Sequence, residues 1–165
     1  MDEWSYVMKK AEKTNVMRIL EKHNVPYKYH DYTDTDAIGG MDVALALHEN
    51  PDQVFKTLVT TGSSRNHYVF LVPVCRELNL KKAAKAVREK SMEMLKAKDL
   101  LPLTGYVHGG CSPIGMKKAF RTTIDASAEG FDTIFFSGGK IGCQVELSLD
   151  ALKGVLDFDL MDICD

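Results

Sequence analysis

Cysteine is sparse and scattered. Cys75, Cys111, Cys143 and Cys164 form no Cys-x-x-Cys pair, which excludes the usual zinc knuckle and the thioredoxin-type motif and makes reduced, unpaired thiols the default. The five histidines, His23, His30, His48, His67 and His108, show no His-x-x-x-His or Glu-x-x-His spacing, so no metal site is expected. No Walker motif and no Gly-x-Gly-x-x-Gly fingerprint is present, so ATP- and NAD-dependent chemistry is not expected and no cofactor is predicted. Long apolar runs are missing too: nothing approaches the roughly 20 consecutive residues that cross a bilayer. Residues 1–13 are charged and lack the apolar stretch of a secretory signal, and the expectation is a cytoplasmic protein without a membrane segment. Charge of one sign is also missing. The 21 Lys plus Arg against 23 Asp plus Glu leave a net charge of -2, without the global basic excess of a dedicated nucleic-acid binder.

What is present describes one packed domain spanning 1–165. The chain has 165 residues and 45% apolar content, enough for a single core, and no repeat or linker interrupts it. Val16, Ile19 and Leu20, with Glu12 and Lys13 a turn earlier, fit a helix closed by His23, Asn24 and Pro26. A short strand around Tyr27 and Tyr29 and a helix over 41–47 follow, and Asn50-Pro51-Asp52 supplies turn chemistry. Two β-rich runs, 54–61 and 68–74, flank the polar loop 62–66 and predict an antiparallel hairpin. Asn79 is placed to cap a basic helix over 80–90, in which Lys81, Lys85 and Arg88 share one face and Ala83, Ala84 and Val87 another. A further helix is expected over 92–98, then strands at 106–108, 122–125, 133–137 and 144–147. Ser148 caps a last helix through Leu156, and 158–163 forms a final strand. Strands outnumber crossover helices, which favours an α+β fold with a mixed, largely antiparallel sheet over a doubly wound parallel one.

Three segments set polar or glycine-rich residues at strand ends. In 54–58, Lys56 interrupts a β-run and points opposite Phe55 and Thr57, where its ammonium can meet a phosphate or carboxylate; the plainer reading is a solvent-facing lysine. In 109–115, Gly109 and Gly110 let backbone N–H groups approach a ligand or a developing oxyanion, although a tight loop also explains them. In 137–142, Gly138-Gly139 has hairpin-turn chemistry, with Ser137 or Lys140 beside it. Cys111 near His108 suggests a thiol with an adjacent base, but a thiol of ordinary pKa, about 8.5, is mostly protonated at neutral pH, and no third orienting group is evident. Lys81, Lys82, Lys85, Arg88 and Lys90 form a basic run that, on pattern alone, is a solvated helix face.

The order and spacing of 50–58, of Leu78-Asn79-Leu80-Lys81-Lys82-Ala83-Ala84-Lys85, of Thr104-Gly105-Tyr106 with 109–115, and of Ile124-Asp125 followed by Ser137-Gly138-Gly139-Lys140 resemble the YbaK/EbsC family. These are free-standing Cys-tRNA(Pro) deacylases related to the editing domain of bacterial prolyl-tRNA synthetases, and the resemblance covers nearly the whole chain. It implies a partly barrel-like sheet with surrounding helices, and hydrolysis of the aminoacyl ester of mischarged tRNA. By resemblance, Lys56 anchors the terminal adenosine phosphate or ribose and Thr57 lines the same site. Gly109 and Gly110 offer N–H groups to the ester carbonyl, and Tyr32, Ser137 and Gln144 surround the aminoacyl group. The helix bearing Lys81, Lys82 and Lys85 is the expected contact for the tRNA backbone. The partners implied are mischarged tRNA and prolyl-tRNA synthetase. The family chemistry uses the substrate thiol against its own ester, so no protein nucleophile is required.

Two departures stand out. Relatives carry an aspartate two residues before the glutamate where this chain has Gln144 before Glu146; a glutamine cannot act as a base or pair with the substrate ammonium, although its amide still hydrogen-bonds. Ile38-Gly39-Gly40-Met41 replaces an aromatic residue ahead of the second helix. The competing readings are an aminoacyl-tRNA or nucleotide binder of the same fold without turnover, and a thiol hydrolase or lyase using Cys111.

Overall fold

The computed structural model describes residues 13–165; Glu12 and the residues before it lie outside them. Thr14 accepts from the Met17 N–H at 3.3 Å and starts α1, Asn15–Lys22, whose Val16, Met17 and Leu20 are buried. Asn24 takes a left-handed φ of 55°, and the chain turns into β1, Lys28–Asp31. After α2, Gly40–Ala46, come β2, Phe55–Gly62, and β3, His67–Pro73. These form the expected hairpin, with Thr57 opposite Leu71 and Thr61 opposite His67. Asn79 caps α3, Leu80–Val87, through the Lys82 N–H at 3.0 Å. The helix stops short of Lys90 because Arg88 turns left-handed.

The helix expected over 92–98 is corrected. Met92–Met94 is strand β4, paired antiparallel to β2, and only then does α4 run, Ala97–Thr104, with Pro102 inside it. The local sequence is rich in helix formers, but the free edge of β2 offers backbone partners that helix propensity cannot outweigh. The strand expected at 106–108 is also absent. Tyr106 turns inward, its hydroxyl donating to the Ile114 carbonyl, and 105–120 forms a loop closed by the Lys117 N–H on the Thr104 carbonyl at 3.1 Å. The remaining strands are β5, Arg121–Asp125, β6, Ile134–Ser137, β7, Cys143–Leu147, and β8, Asp159–Met161. Ser148 caps α5 as expected, but the helix is only Leu149–Leu152.

The strands make two sheets, β1-β7-β6 and β4-β2-β3-β5-β8. Pairing is antiparallel except for β3 with β5 and β5 with β8, which are parallel. One bridge, Val54 to Phe135, joins the sheets at a seam, so the arrangement is barrel-like without closing. Alternation along β3 shows how the core is divided. Val69 and Leu71 face the main core with Phe55, Ile124, Ile134, Phe136 and Val145; Phe70 and Val72 face the other way, against Ala83, Ala84 and Val87 of α3. Each such fully buried large side chain contributes about 1.5–3 kcal/mol, and the alanines of α3 let the helix approach the sheet closely.

Candidate active site

A cleft of about 180 Å³ opens beside the seam between the sheets. The bridge residue Val54 and, from β2, Phe55 through Leu58 line it, with Phe136 and Ser137 of β6 and Cys143 and Gln144 of β7. The wall is completed by Tyr32, by Ile38, Gly39, Gly40 and Val43 at the start of α2, by Leu100 of α4, and by His108, Gly109 and Cys111 of the glycine loop. Of the residues singled out in the sequence, Tyr32, Lys56, Thr57, Gly109, Ser137 and Gln144 therefore share one cavity.

Each is held in place by its local structure. Lys56 lies opposite Val72 on β3. Its Nζ is 3.4 Å from Glu77 Oε1, and the Glu77 side chain is 80% exposed, so this pair is long, solvated and weak and leaves the ammonium able to meet an anion. Ser137 and Gln144 face each other across the β6–β7 hairpin. The Ser137 hydroxyl accepts from the Gly139 N–H at 3.1 Å, which fixes the turn and leaves its own proton for a ligand. The Tyr32 N–H donates to the Gly142 carbonyl at 2.9 Å, and burial pushes the phenol pKa up, so it stays protonated.

The glycine loop requires a narrower reading than the sequence suggests. Gly109 has a φ of 87°, and a Cβ there would lie 2.9 Å from Ile38 Cγ2, so any other residue is strained at this position. Its N–H has no hydrogen-bond partner among the described residues. The Gly110 N–H, by contrast, donates to the Val107 carbonyl at 3.0 Å, and Gly110 is absent from the cleft wall. Its role is close packing: a Cβ would sit 3.0 Å from the Lys140 Cα. The expected pair of backbone donors is thus reduced to Gly109.

Cys111 is buried, and burial pushes its thiol up to about 12. It forms no hydrogen bond with His108 among the described residues, so the nucleophile–base pair is not assembled and the thiolate is not available near neutral pH. No group of three or more potential metal ligands occurs among the described residues.

Two buried side-chain atoms have no partner among the described residues, Thr57 Oγ1 and Gln144 Oε1. Unsatisfied buried polar atoms are few in folded proteins, and here both belong to one cleft. Behind Gln144 runs a polar network that sequence reading missed. Gln144 Nε2 donates to Glu49 Oε1 at 2.8 Å. His30 Nε2 and Glu146 Oε1 lie 2.8 Å apart, Thr133 Oγ1 donates to Glu146 Oε2 at 2.5 Å, and Gln53 Nε2 donates to the Thr133 carbonyl at 2.8 Å. Glu49 is separated from Gln144 by 95 residues, and no local pattern links them.

The basic helix stands apart from this cavity. Lys81 and Lys85 line a separate surface recess with Glu89 and Lys90. Lys82 Nζ instead pairs with Asp162 Oδ2 at 3.0 Å and donates to the Cys164 carbonyl at 2.8 Å. The three lysines expected to act as one patch are divided between two surroundings.

The model of the aminoacyl-tRNA editing domain matches residues 40–155, most of the chain and nearly all of the cleft wall. This chain belongs to that family. One relative is EbsC of Enterococcus faecalis, named as a candidate Cys-tRNA(Pro)/Cys-tRNA(Cys) deacylase. It is 42% identical over 156 residues, covering 94% of this chain and 95% of EbsC. Two solved structures share the editing-domain fold. One is titled as a candidate trans-editing enzyme for prolyl-tRNA synthetase, with 22% identity, a TM-score of 0.78, and coverage of 92% of this chain and 98% of that one. The other is the hypothetical protein APE2540, with 17% identity, a TM-score of 0.81, and coverage of 92% and 100%. Among the described residues, no helix is long and apolar enough to cross a membrane.

Proposed function

We propose that this editing domain is a trans-acting aminoacyl-tRNA deacylase that hydrolyses the ester of mischarged tRNA, with Cys-tRNA(Pro) as its principal substrate. The observation that carries this reading is the convergence of Lys56, Thr57, Gly109, Ser137 and Gln144 on one small cleft in a chain 42% identical to EbsC. Editing answers a physical limit: cysteine and proline are similar in size, and a synthetase pocket separates such substrates by only about 1–3 kcal/mol.

In this scheme the Lys56 ammonium grips the phosphate or ribose of the terminal adenosine, and the Gly109 N–H faces the ester carbonyl, where it strengthens as negative charge develops. Thr57, Ser137 and Tyr32 border the aminoacyl group. The substrate thiol attacks its own ester carbonyl: a carbon–sulfur bond forms, the bond to the ribose oxygen breaks, and the thiol proton ends on that oxygen. Water then opens the resulting thiolactone to free cysteine. Holding the two reacting groups of one substrate in line supplies the acceleration, which agrees with a Cys111 thiol pushed up to about 12. Because the cleft addresses the aminoacyl end, prolyl-tRNA synthetase is the partner that would supply selectivity for the tRNA body, and the cytoplasm is where such a role is exercised.

The test is cysteine release from Cys-tRNA(Pro) by the purified protein. Release should fall by roughly 100-fold or more in Lys56→Ala, in line with about 3 kcal/mol for one charged transition-state contact, and stay within about threefold in Cys111→Ala, since no step uses that thiol. Binding without release would favour the non-catalytic binder, and loss of activity in Cys111→Ala would favour the thiol enzyme.

A further inference from the structure

We infer that Glu49 is a specificity-determining positioning residue, which turns the Gln144 carbonyl toward the cleft and backs it with negative charge so that the site reads the free α-ammonium of the aminoacyl group. The inference deepens the deacylase reading and rests on it. A carboxylate accepts hydrogen bonds and cannot donate them, so the contact at 2.8 Å commits the Gln144 nitrogen to Glu49. The amide oxygen must then face away from Glu49. That oxygen is the buried atom left without a partner, on a side chain only 2% exposed that lines the cleft. An acceptor held there, with an anion behind its amide, calls for a cationic donor. The α-ammonium adjoining the ester of an aminoacyl-tRNA has that chemistry.

The fold places Glu49 without help from Gln144. His48 ends α2 with a left-handed φ of 55°, and the Glu49 N–H closes back on the Ala44 carbonyl at 2.9 Å. The helix therefore ends in a fixed turn, with the carboxylate behind the cleft wall. Burial pushes the Glu49 pKa up, opposed by the Gln144 hydrogen bond and by His30 and reinforced by Glu146; Glu146 is itself held by Thr133 and His30.

The experiment compares hydrolysis of Cys-tRNA(Pro) and N-acetyl-Cys-tRNA(Pro), which lacks the ammonium, by the full chain, with thermal melting of each variant as a check on folding. Wild type should prefer the free amine by about 10- to 100-fold in kcat/KM, the range of one hydrogen bond to a charged group. Glu49→Gln should lose that preference through a fall on Cys-tRNA(Pro) alone. Adding Gln144→Asp to Glu49→Gln should restore it, because a carboxylate then stands in the cleft wall itself. Equal losses on both esters in a folded Glu49→Gln protein, or an undiminished preference, would overturn the inference and leave the deacylase standing. Hydrolysis of neither ester by wild type would overturn the deacylase reading itself and the inference with it.

Discussion

The cleft and the region around the C-terminal tail both carry polar side chains on a β framework, but they use them in opposite ways. Around the tail, hydrogen-bonding capacity is paired internally. Asn79 N–H meets the Ile163 carbonyl at 2.8 Å, and Asp165 N–H meets the Glu77 carbonyl at 3.2 Å. Arg76 Nη2 donates to the Asp165 carbonyl at 2.8 Å, Lys82 holds Asp162, and buried Asp125 accepts from the Ile163 and Ser127 N–H groups at 3.1 and 3.2 Å. The cleft instead leaves Thr57 Oγ1 and Gln144 Oε1 unsatisfied. The difference separates a structural clamp from the proposed site: polar groups that satisfy one another fix the chain, whereas buried groups left open are available to a ligand or water.

Substitutions should fall on the two sides of this division, with stability lost at the clamp and activity lost at the cleft. The largest stability effect is expected for Asp125→Ala, about 2–4 kcal/mol, because it orphans a buried N–H and removes the Arg76 partner. Burial pushes the Asp125 pKa up, but its hydrogen bonds from Ser127 and Ile163 outweigh this and hold it below the ordinary carboxylate range. Its contribution is therefore complete above about pH 4 and is lost as pH falls through the depressed folded-state value. Melting from pH 2 to 7 should show the gap between wild type and Asp125→Asn closing only at the acid end; a gap independent of pH would remove Asp125 from the clamp. At 25 °C the folded fraction of the variant should retain cysteine release.

Gly110→Ala tests the border between the regions. Its new methyl would meet the Lys140 backbone, which is less able to yield than a side chain, so a loss of about 1–3 kcal/mol is expected, together with reduced turnover as Gly109 is displaced. A stable, fully active variant would show that the loop tolerates the added methyl. The smallest effects belong to the basic helix. Lys82→Ala should cost no more than about 1 kcal/mol in denaturant titration, the ordinary range of an exposed pair. Lys81→Ala with Lys85→Ala should leave melting unchanged and, if these lysines touch the tRNA backbone, flatten the dependence of log affinity on log salt by about 0.7–0.9 for each phosphate no longer neutralised. An unchanged slope would confine recognition to the cleft.

The hairpin of β2 and β3, the Asn79 cap and the inward face of α3 were legible because each is encoded within a few residues: alternation of period two, a capping side chain beside its N–H, and alanines at helical spacing. β4 was misread because Met92–Met94 is helix-forming locally and becomes a strand only through pairing with β2. The cleft was legible in its glycines and in Lys56, since those residue types sit where the pattern makes them conspicuous. Glu49 was not, because a carboxylate after a helix looks like any solvated charge until a strand 95 residues away brings an amide to it.

The sequence by itself determined the class of the fold, through periodicity and turn chemistry, and the family with several residues of the cleft wall, through the order of motifs carried along the chain. Only the tertiary structure decided which N–H of the glycine pair remains open, which lysines are already paired, and that Cys111 is a buried thiol. Those properties depend on what else fills the space around a group, through desolvation and competition for hydrogen bonds, and that is set when distant segments pack together.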